Sequence, residues 1–318
     1  MTRVCVVGAG VIGSLYAGHL AHVADVSVLT RRAEQARALA EEGLRISGKT
    51  KRDARVEATA EPAELAEFDL GIVATKATDL EDAAARLAGR SPRATLMTIQ
   101  NGLGAEEIVG RHGDWKLISA VTFMSGVRHS DTHVEYELDT ETWLGPYAGT
   151  ETPYDTVADV EALLRNAGLR ARAFPDLRPA QWSKLIFNAT VNTVAALTDL
   201  PHVSQFAAEA EETDLGHLVR ALMDEGKRVA AGAGVELHED PWEMNVLAVR
   251  KGETEAAAGK YAHVPSMLED VRSRRRTEVD FITGALVREA RRLGVAVPLH
   301  EAMYRLVRAR EDSWRWGT

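Results

Sequence analysis

The sequence predicts the α/β fold class, in which an N-terminal part with parallel strands precedes an all-α part. Short apolar runs alternate with helical patterns through the first half, which is typical of βαβ units. A glycine-rich turn follows the first apolar run at 8–13. Helical patterns alone follow Pro175. We therefore divide the chain into domains at 1–176 and 177–318.

The predicted elements of the first part alternate in type along the chain. Strands are predicted at VCVVG (4–8), VSVLT (26–30), DLGIVATK (69–76), TLMTIQNG (95–102) and LRARAF (169–174). Helices are predicted at 11–22, 33–43, 79–89 and 155–167. Between 118 and 147 the helical periodicity is lost, and HVEYEL and TWLGP resemble antiparallel additions near the sheet edge. In the second part, helices are predicted at 179–197, 207–232, 241–250, 264–273, 277–293 and 300–315.

Composition restricts the class of protein. The chain has 318 residues and a net charge of −9, which argues against a nucleic-acid binder. Its single cysteine, Cys5, cannot form an internal disulfide, so we expect a reducing, cytoplasmic location. The apolar N-terminus resembles a signal peptide, but its glycines fit a nucleotide-binding pattern better. We expect no membrane-spanning segment and no metal site, because no ligand spacing occurs among the histidines.

The turn GAGVIG at 8–13 has the dinucleotide-binding form G-x-G-x-x-G. It follows a predicted strand and opens a predicted helix, the context that gives this short pattern meaning. The three glycines allow a tight turn, a close approach to a pyrophosphate and close helix–strand packing. The alternative is a glycine-rich turn without a ligand. The predicted cofactor-binding residues here are Gly8, Ala9, Gly10, Val11, Ile12 and Gly13.

The end of the second strand indicates which dinucleotide binds. NAD sites place an acidic residue there, about 20 residues past the fingerprint, to bind the ribose 2′-hydroxyl. Here Arg31 and Arg32 follow Thr30 instead. Guanidinium groups suit a 2′-phosphate, so we expect NADPH as cofactor with Arg31 on the phosphate. The alternative is a solvated arginine pair at the start of a surface helix.

Two further strand ends carry polar residues. Ligands of open α/β sheets bind outside the carboxyl ends of the strands, where Lys76 and Asn101 lie. Both could reach the nicotinamide end of the cofactor. Lys76 could equally be a plain exposed lysine, and Asn101 with Gly102 could be turn chemistry.

The predicted helix at 179–197 carries three polar residues at intervals of four, namely Lys184, Asn188 and Asn192, which we call the polar row. They share one helix face, and the remaining surface is apolar, so the helix should be largely buried. Buried amide and ammonium groups need partners, which favours a ligand-filled cleft between the domains over a solvated seam. A lysine there can protonate an alkoxide forming at a ketone.

The segment 265–287 is the third candidate region. Thr277 and Asp280 resemble a capping box, so we predict a helix that begins here with Glu278 in its first turn. The sequence alone does not distinguish a functional role of Glu278 from a stabilising interaction between its carboxylate and the helix dipole. The run 274–276 of arginines favours a solvated face over a phosphate site.

Taken together, these motifs resemble the ketopantoate reductase (2-dehydropantoate 2-reductase) family of pantothenate biosynthesis. The resemblance runs nearly end to end, and the order and spacing of the motifs make it specific. It rests on GAGVIG with Arg31, TK at 75–76, QNGLG at 100–104, WSKLIFNATVNTVAAL at 182–197, and PSMLED with RTEVD at 265–280. It implies a Rossmann-type dinucleotide-binding domain, a helical substrate domain, NADPH and a 2-keto acid substrate.

The resemblance also implies residue roles. Lys184 would be the general acid, and Glu278 would bind the substrate hydroxyl or position Lys184. Ser266 would contact the substrate carboxylate. Lys76 would lie near the nicotinamide. The implied substrate-binding residues are Asn101, Asn188, Asn192, His263 and Ser266.

Two positions depart from the family pattern and leave the substrate open. His263 stands where an asparagine is usual, and Thr283 replaces the asparagine of an I-N-G motif. Reduction of another 2-keto acid or related carbonyl therefore stays an alternative to ketopantoate. A non-catalytic NADPH sensor is a third, which the presence of Lys184 disfavours. The long C-terminal helices are compatible with a homodimer.

Overall fold

The computed structural model describes residues 1–208, 213–257 and 264–316, without the side chains of 252–257 and 316. His263 lies outside the described residues. The chain forms two compact units. One comprises Met1–Gln100 and Ala105–Leu177, and the other comprises Asn101–Gly104 and Arg178–Thr318.

The described residues of the first unit contain twelve strands and five helices. Strands β1 to β12 are Arg3–Val7, Asp25–Leu29, Leu44–Gly48, Arg52–Ala54, Glu57–Thr59, Leu70–Val73, Thr95–Thr98, Lys116–Thr122, Ser125–Arg128, His133–Leu138, Thr142–Pro146 and Ala171–Ala173. Helices α1 to α5 are Val11–Leu20, Ala33–Glu42, Leu80–Leu87, Ala105–Gly110 and Tyr154–Asn166.

The main sheet has eight strands in the order β12-β11-β8-β7-β6-β1-β2-β5. The six from β8 to β5 are mutually parallel, as the βαβ pattern predicted. Strand β11, the TWLGP segment, is antiparallel to β8 as predicted, and β12 is parallel to β11. The chain winds from β1 to β2 in one direction and to β6 in the other. The turn after β1 therefore lies at a topological switch point, where ligands of such sheets bind.

After its exposed first residue, Arg3, strand β1 is apolar because both of its faces are covered. Val4 and Val6 belong to one buried cluster with α1 and α5. Cys5 and Val7 belong to a second cluster with α3 and α4. Successive side chains of a strand point to opposite faces, so a parallel strand covered on both sides is a continuous hydrophobic run.

The prediction that HVEYEL is an addition near the sheet edge is wrong. Strand β10 lies in a second sheet of order β4-β3-β10-β9, where it pairs parallel with β3 and antiparallel with β9. Its apolar residues Val134 and Tyr136 are buried in the same cluster as the side chains of α1. Gly18 of α1 allows the close packing, because a Cβ there would be 2.6 Å from Cδ1 of Ile46.

The second unit is helical in its described residues. Helices α6 to α11 are Arg178–Thr198, Asp214–Gly232, Pro241–Ala257, Ser266–Arg272, Thr283–Leu293 and Pro298–Ser313. Helix α6 packs against the other five, which confirms that it is largely buried. No helix in the described ranges is long and apolar enough to cross a membrane.

The predicted capping box at Thr277 is wrong, because α10 begins at Thr283. The Thr277 hydroxyl accepts a hydrogen bond from the N–H of Val279, two residues on, at 3.2 Å, which is a turn rather than a helix cap. The Asp280 carboxylate binds side chains of α11 and does not return to Thr277. Glu278 therefore lies on a turn and not in a helix. The arginines at 274–276 are exposed, as expected of a solvated face.

Candidate active site

The glycine turn after β1 has the tight geometry that its sequence predicts. Gly8 has φ +98°, and a Cβ there would lie 2.9 Å from Cγ2 of Thr75. A Cβ at Gly13 would lie 1.9 Å from the carbonyl oxygen of Gly8, so only glycine allows this approach of α1 to β1. The turn is also held from α2, because Nε2 of Gln35 donates to the carbonyl of Ala9 at 2.9 Å.

The turn leaves room where a pyrophosphate would bind. A Cβ at Gly10 would meet no atom within 4 Å. Gly10 is the N-cap of α1 and makes no side-chain cap. The N–H groups of Val11 and Ile12, in the first turn, have no acceptor within the helix and can bind a ligand there. Beside the turn, the buried Oγ1 of Thr75 has no hydrogen-bond partner within the described part of the chain. Open space, helix N–H groups and an orphan hydroxyl fit an anionic group such as a dinucleotide pyrophosphate.

The two arginines after β2 differ in their surroundings. The Arg31 side chain is 72% exposed, and its Nη1 lies 3.2 Å from Oδ1 of Asp79. Arg32 is ion-paired with Asp131. Thr30, which directly precedes them, is held by Arg86, whose Nη1 and Nη2 each lie 3.1 Å from the carbonyl oxygen of Thr30. Arg31 thus offers an accessible guanidinium to an anion, in competition with one exposed carboxylate.

Lys76 follows the carboxyl end of β6. It is exposed and precedes a short 3₁₀ turn at Ala77–Asp79. The position of Lys76 is compatible with both of its predicted roles, a contact with the cofactor and an ordinary surface lysine.

In the second unit, hydrogen bonds join Asn101 to Asn188 and Glu278, and the Glu278 carboxylate also interacts electrostatically with Lys184. Lys184 and Asn188 on α6 are buried, with exposures of 8% and 7%. Nδ2 of Asn188 donates to Oδ1 of Asn101 at 3.4 Å, and Nδ2 of Asn101 lies 3.5 Å from Oε2 of Glu278. We call Asn101, Lys184, Asn188 and Glu278 the amide–lysine cluster. Asn192 is buried one helical turn beyond Asn188, at 5% exposure.

The charge of Lys184 is set by two opposing effects. Burial lowers the pKa of Lys184 from 10.5 to about 8, against a smaller attraction from the Glu278 carboxylate that raises it. Burial disfavours the charged ammonium, and the nearby negative charge favours it. The sequence could not decide which effect is larger. A lysine that exchanges its proton near neutral pH is suited to general acid catalysis.

Asn101 reaches this cluster because of the glycine that follows it. Gly102 has φ +99°, and a Cβ there would lie only 1.9 Å from the carbonyl oxygen of Phe281. The N–H of Leu103 donates to the same carbonyl at 3.1 Å. The 101–104 loop is therefore bound to the turn that carries Glu278, so the turn at Gly102 brings Asn101 to Glu278.

Other predicted residues lie apart from the cluster or outside the described chain. Ser266 is the exposed first residue of α9, after the N-cap Pro265. Thr283, which replaces the usual asparagine, is fully buried, and its Oγ1 donates to the carbonyl of Ala189 at 3.4 Å. Sequence reasoning missed Gln35 and Arg86, because each resembles an ordinary helix-surface position and its partners are backbone carbonyls distant in sequence.

Comparison with known proteins gives the same family across both units. The model described as "Ketopantoate reductase PanE/ApbA" matches residues 4–149, and its C-terminal counterpart matches 176–311. A 2-dehydropantoate 2-reductase of Archaeoglobus fulgidus is 31% identical over 312 residues, covering 98% of each chain.

Two solved structures share the fold of the chain. The crystal structure of 2-dehydropantoate 2-reductase from Methylococcus capsulatus has a TM-score of 0.82 at 26% identity, covering 97% of this chain and 96% of its own. A D-mandelate dehydrogenase in a ternary structure with NADH and anilino(oxo)acetate has a TM-score of 0.84 at 23% identity, covering 98% and 99%. With two matching family models and a relative that is 31% identical over 98% of both chains, the chain belongs to the ketopantoate reductase family of oxidoreductases.

Proposed function

We propose that this chain is an NADPH-dependent 2-dehydropantoate 2-reductase, which reduces ketopantoate to pantoate for pantothenate biosynthesis. The observation that carries the proposal is the buried Lys184 with its pKa near 8, hydrogen-bonding amides one turn away and Glu278 opposite. Family membership supplies the substrate class.

In this proposal Lys184 is the general acid. NADPH, when bound, supplies the hydride that adds to the ketone carbon. As the C=O π bond breaks, its electron pair moves to oxygen, and Nζ of Lys184 donates the proton that makes the hydroxyl. The neutral amine then regains a proton from solvent. A pKa near 8 keeps most Lys184 protonated at neutral pH while making its proton easier to transfer than that of an ordinary lysine.

The neighbouring polar groups bind and orient the substrate. Asn101 and Asn188 would exchange their mutual hydrogen bond for bonds to substrate oxygens, and Asn192 would act similarly. Glu278 would accept from the substrate hydroxyl and favour the charged form of Lys184. Ser266 and His263 would complete the substrate contacts.

For the cofactor, we propose that residues 8–13 hold the pyrophosphate, with Lys76 and Asn101 near the nicotinamide. Arg31 would bind the 2′-phosphate and release Asp79 when it does so. The absence of an acidic residue at the end of β2 supports NADPH over NADH. Open space at Gly10, beside the close packing of Gly13 on Gly8, supports a pyrophosphate at this turn.

A second substrate class remains the main competitor. His263 departs from the family pattern, so another 2-keto acid is the second candidate. Thr283 does not favour it, because the side chain is fully buried against the backbone of α6.

The test is NADPH oxidation by the purified protein with ketopantoate, beside a panel of other 2-keto acids and with NADH as control. Saturable oxidation that is fastest with ketopantoate and NADPH supports the proposal. Turnover confined to another 2-keto acid removes ketopantoate as substrate and keeps the chemistry. NADPH binding without turnover on any substrate contradicts the proposal and favours the sensor alternative.

A further inference from the structure

Glu278 lies on a short segment that cannot hold its shape by helix bonds alone. In residues 277–282, which we call the Glu278 turn, the N–H groups of Phe281 and Ile282 donate to the carbonyl of Glu278 at 3.0 and 3.1 Å. These bonds close the turn after Glu278. The residue before it, Thr277, is buried and needs partners from elsewhere for its N–H and hydroxyl.

Those partners come from a single carboxylate on the last long helix. Oε1 of Glu311 accepts from the N–H of Thr277 at 2.8 Å and from its hydroxyl at 2.6 Å. Glu311 is only 7% exposed. Its other oxygen, Oε2, lies 3.4 Å from Nη1 of Arg308, which compensates part of the cost of burying the charge.

A second anchor from the same helix holds the middle of the turn, at Asp280. The hydroxyl of Tyr304 donates to Oδ1 of Asp280 at 2.7 Å, and Nη1 of Arg308 lies 3.2 Å from its Oδ2. Tyr304, Arg308 and Glu311 are spaced by four and three residues, so they share one face of α11. The Glu278 turn is thus bound to one helix face on both sides of Glu278, at Thr277 and at Asp280.

We propose that Glu311 is a positioning residue for the reaction, which fixes Thr277 and thereby holds the Glu278 carboxylate beside Asn101 and Lys184. Its catalytic meaning rests on the proposed function, but the placement of Glu278 can be measured without turnover. Glu311 itself contacts neither substrate nor cofactor in this proposal.

The consequence for Lys184 follows from the charges around it. Glu278 raises the pKa of Lys184 against the larger effect of burial. If Thr277 loses its acceptor, the Glu278 carboxylate moves away from its present place and stabilises the ammonium less. The pKa of Lys184 should then fall below about 8. Loss of the negative charge of Glu311 would act in the same direction, so geometry and charge must be separated by the choice of variants.

The experiment is a pH titration of the full-length protein carrying ¹³Cε-labelled lysine, followed by NMR, with the Lys184 signal identified by its loss in Lys184→Arg. Glu311→Ala removes both hydrogen bonds and the charge. Glu311→Gln keeps an oxygen that can accept both bonds and removes only the charge. Glu301→Ala is the matched control, because it removes another carboxylate of α11 that pairs with Arg291.

We expect Glu311→Ala to lower the pKa of Lys184 by at least about half a unit. A change of this size lies within the range of about one unit over which folded proteins shift the pKa of lysine. Glu311→Gln should lower this pKa by clearly less than Glu311→Ala does, and Glu301→Ala should titrate like wild type. If Glu311→Gln shifts the titration as much as Glu311→Ala, charge alone explains it and the positioning role is overturned. No shift in Glu311→Ala overturns it as well.

Thr277 provides an independent test should Glu311→Ala unfold. Thr277→Val removes the hydroxyl with little change of volume and should reproduce part of the Lys184 shift. Thr277→Ser keeps the hydroxyl and should restore the wild-type titration. Equal titrations of the two variants would contradict the proposal.

Kinetics separate this inference from the proposed function. If the chain reduces ketopantoate, Glu311→Ala should lower kcat about ten- to a hundredfold with the KM for NADPH unchanged, as small misplacements of catalytic groups do. An unchanged kcat would overturn the positioning role. A Lys184 shift in a protein that reduces no 2-keto acid would leave the placement of Glu278 established and the proposed function wrong.

Discussion

Asn188 donates from Nδ2 to Oδ1 of Asn101 across 3.4 Å, which joins α6 to a loop 87 residues earlier in the chain. Because the oxygen of Asn101 accepts this bond, its amide nitrogen is directed to Glu278. The order Asn188, Asn101, Glu278 therefore fixes the orientation of both ends of the Asn101 amide. It also ties the carboxylate that acts on Lys184 to the helix that carries Lys184.

The first prediction concerns the pH dependence of catalysis. In the proposed reaction Lys184 donates a proton, so kcat/KM should be level below its pKa and should fall as pH rises through about 8. Glu278→Gln removes the charge that raises this pKa, so the alkaline limb should move to lower pH. Glu289→Gln removes a half-buried carboxylate paired with Arg292, serves as the control and should leave the limb in place. A limb that stays near 8 in Glu278→Gln would contradict the coupling.

The second prediction separates cofactor binding from folding at the glycine turn. A Cβ at Gly10 meets open space, so Gly10→Ala should change the free energy of unfolding by less than about 0.5 kcal/mol and should weaken NADPH binding. A Cβ at Gly13 meets the Gly8 carbonyl at 1.9 Å, so Gly13→Ala should destabilise the protein by about 1 to 3 kcal/mol. Urea unfolding and NADPH fluorescence titration measure the two effects. Unaltered NADPH affinity in Gly10→Ala would remove the turn from the cofactor site.

The third prediction uses two glycines of one loop as a matched pair. Gly102 and Gly104 have φ of +99° and +101°, so alanine at either position costs about 1 to 3 kcal/mol of backbone strain. Only at Gly102 would the new Cβ also meet the Phe281 carbonyl, at 1.9 Å. Gly102→Ala should therefore lower the free energy of unfolding by at least about 1 kcal/mol more than Gly104→Ala, because it also breaks the hydrogen bond from the N–H of Leu103 to the Phe281 carbonyl. Equal urea midpoints would show that the loop does not depend on this close approach.

The fourth prediction tests the cofactor preference. Removing a hydrogen-bonded guanidinium from a phosphate costs about 1.5 to 3 kcal/mol, so Arg31→Ala should raise the KM for NADPH about ten- to a hundredfold. The KM for NADH, which lacks the phosphate, should not change. Arg37→Ala, an exposed arginine of α2, is the control. If both cofactors lose affinity equally in Arg31→Ala, the arginine does not read the 2′-phosphate.

The parts of the fold that the sequence predicted are those that local patterns determine. β1, the glycine turn and α1 follow from adjacent residues, and the buried polar row follows from the period of α6. Glu278 was placed in a helix because Thr277 and Asp280 have the spacing of a capping box. Their actual partners, Glu311, Tyr304 and Arg308, lie more than 20 residues away, and no local pattern indicates them. Self-association of the C-terminal helices stays a prediction.

The electrostatics of the cluster could not be predicted for a similar reason. The helix pattern indicated Lys184 and the family resemblance indicated Glu278, but the sign of the pKa shift of Lys184 depends on how deeply the ammonium is buried. Likewise, the pairing of Arg31 with Asp79 joins two exposed side chains from different strand ends, which only the structure brings together.

The central claim is that Lys184 protonates the ketone oxygen of ketopantoate. Its most direct test compares steady-state NADPH oxidation by wild type and Lys184→Ala, with NADPH affinity measured on both proteins. We predict a loss of about 10²- to 10⁴-fold in kcat with ketopantoate and an unchanged Kd for NADPH, since general acid catalysis contributes about that much. A Lys184→Ala protein that binds NADPH normally and reduces ketopantoate within a few-fold of the wild-type rate would contradict the account.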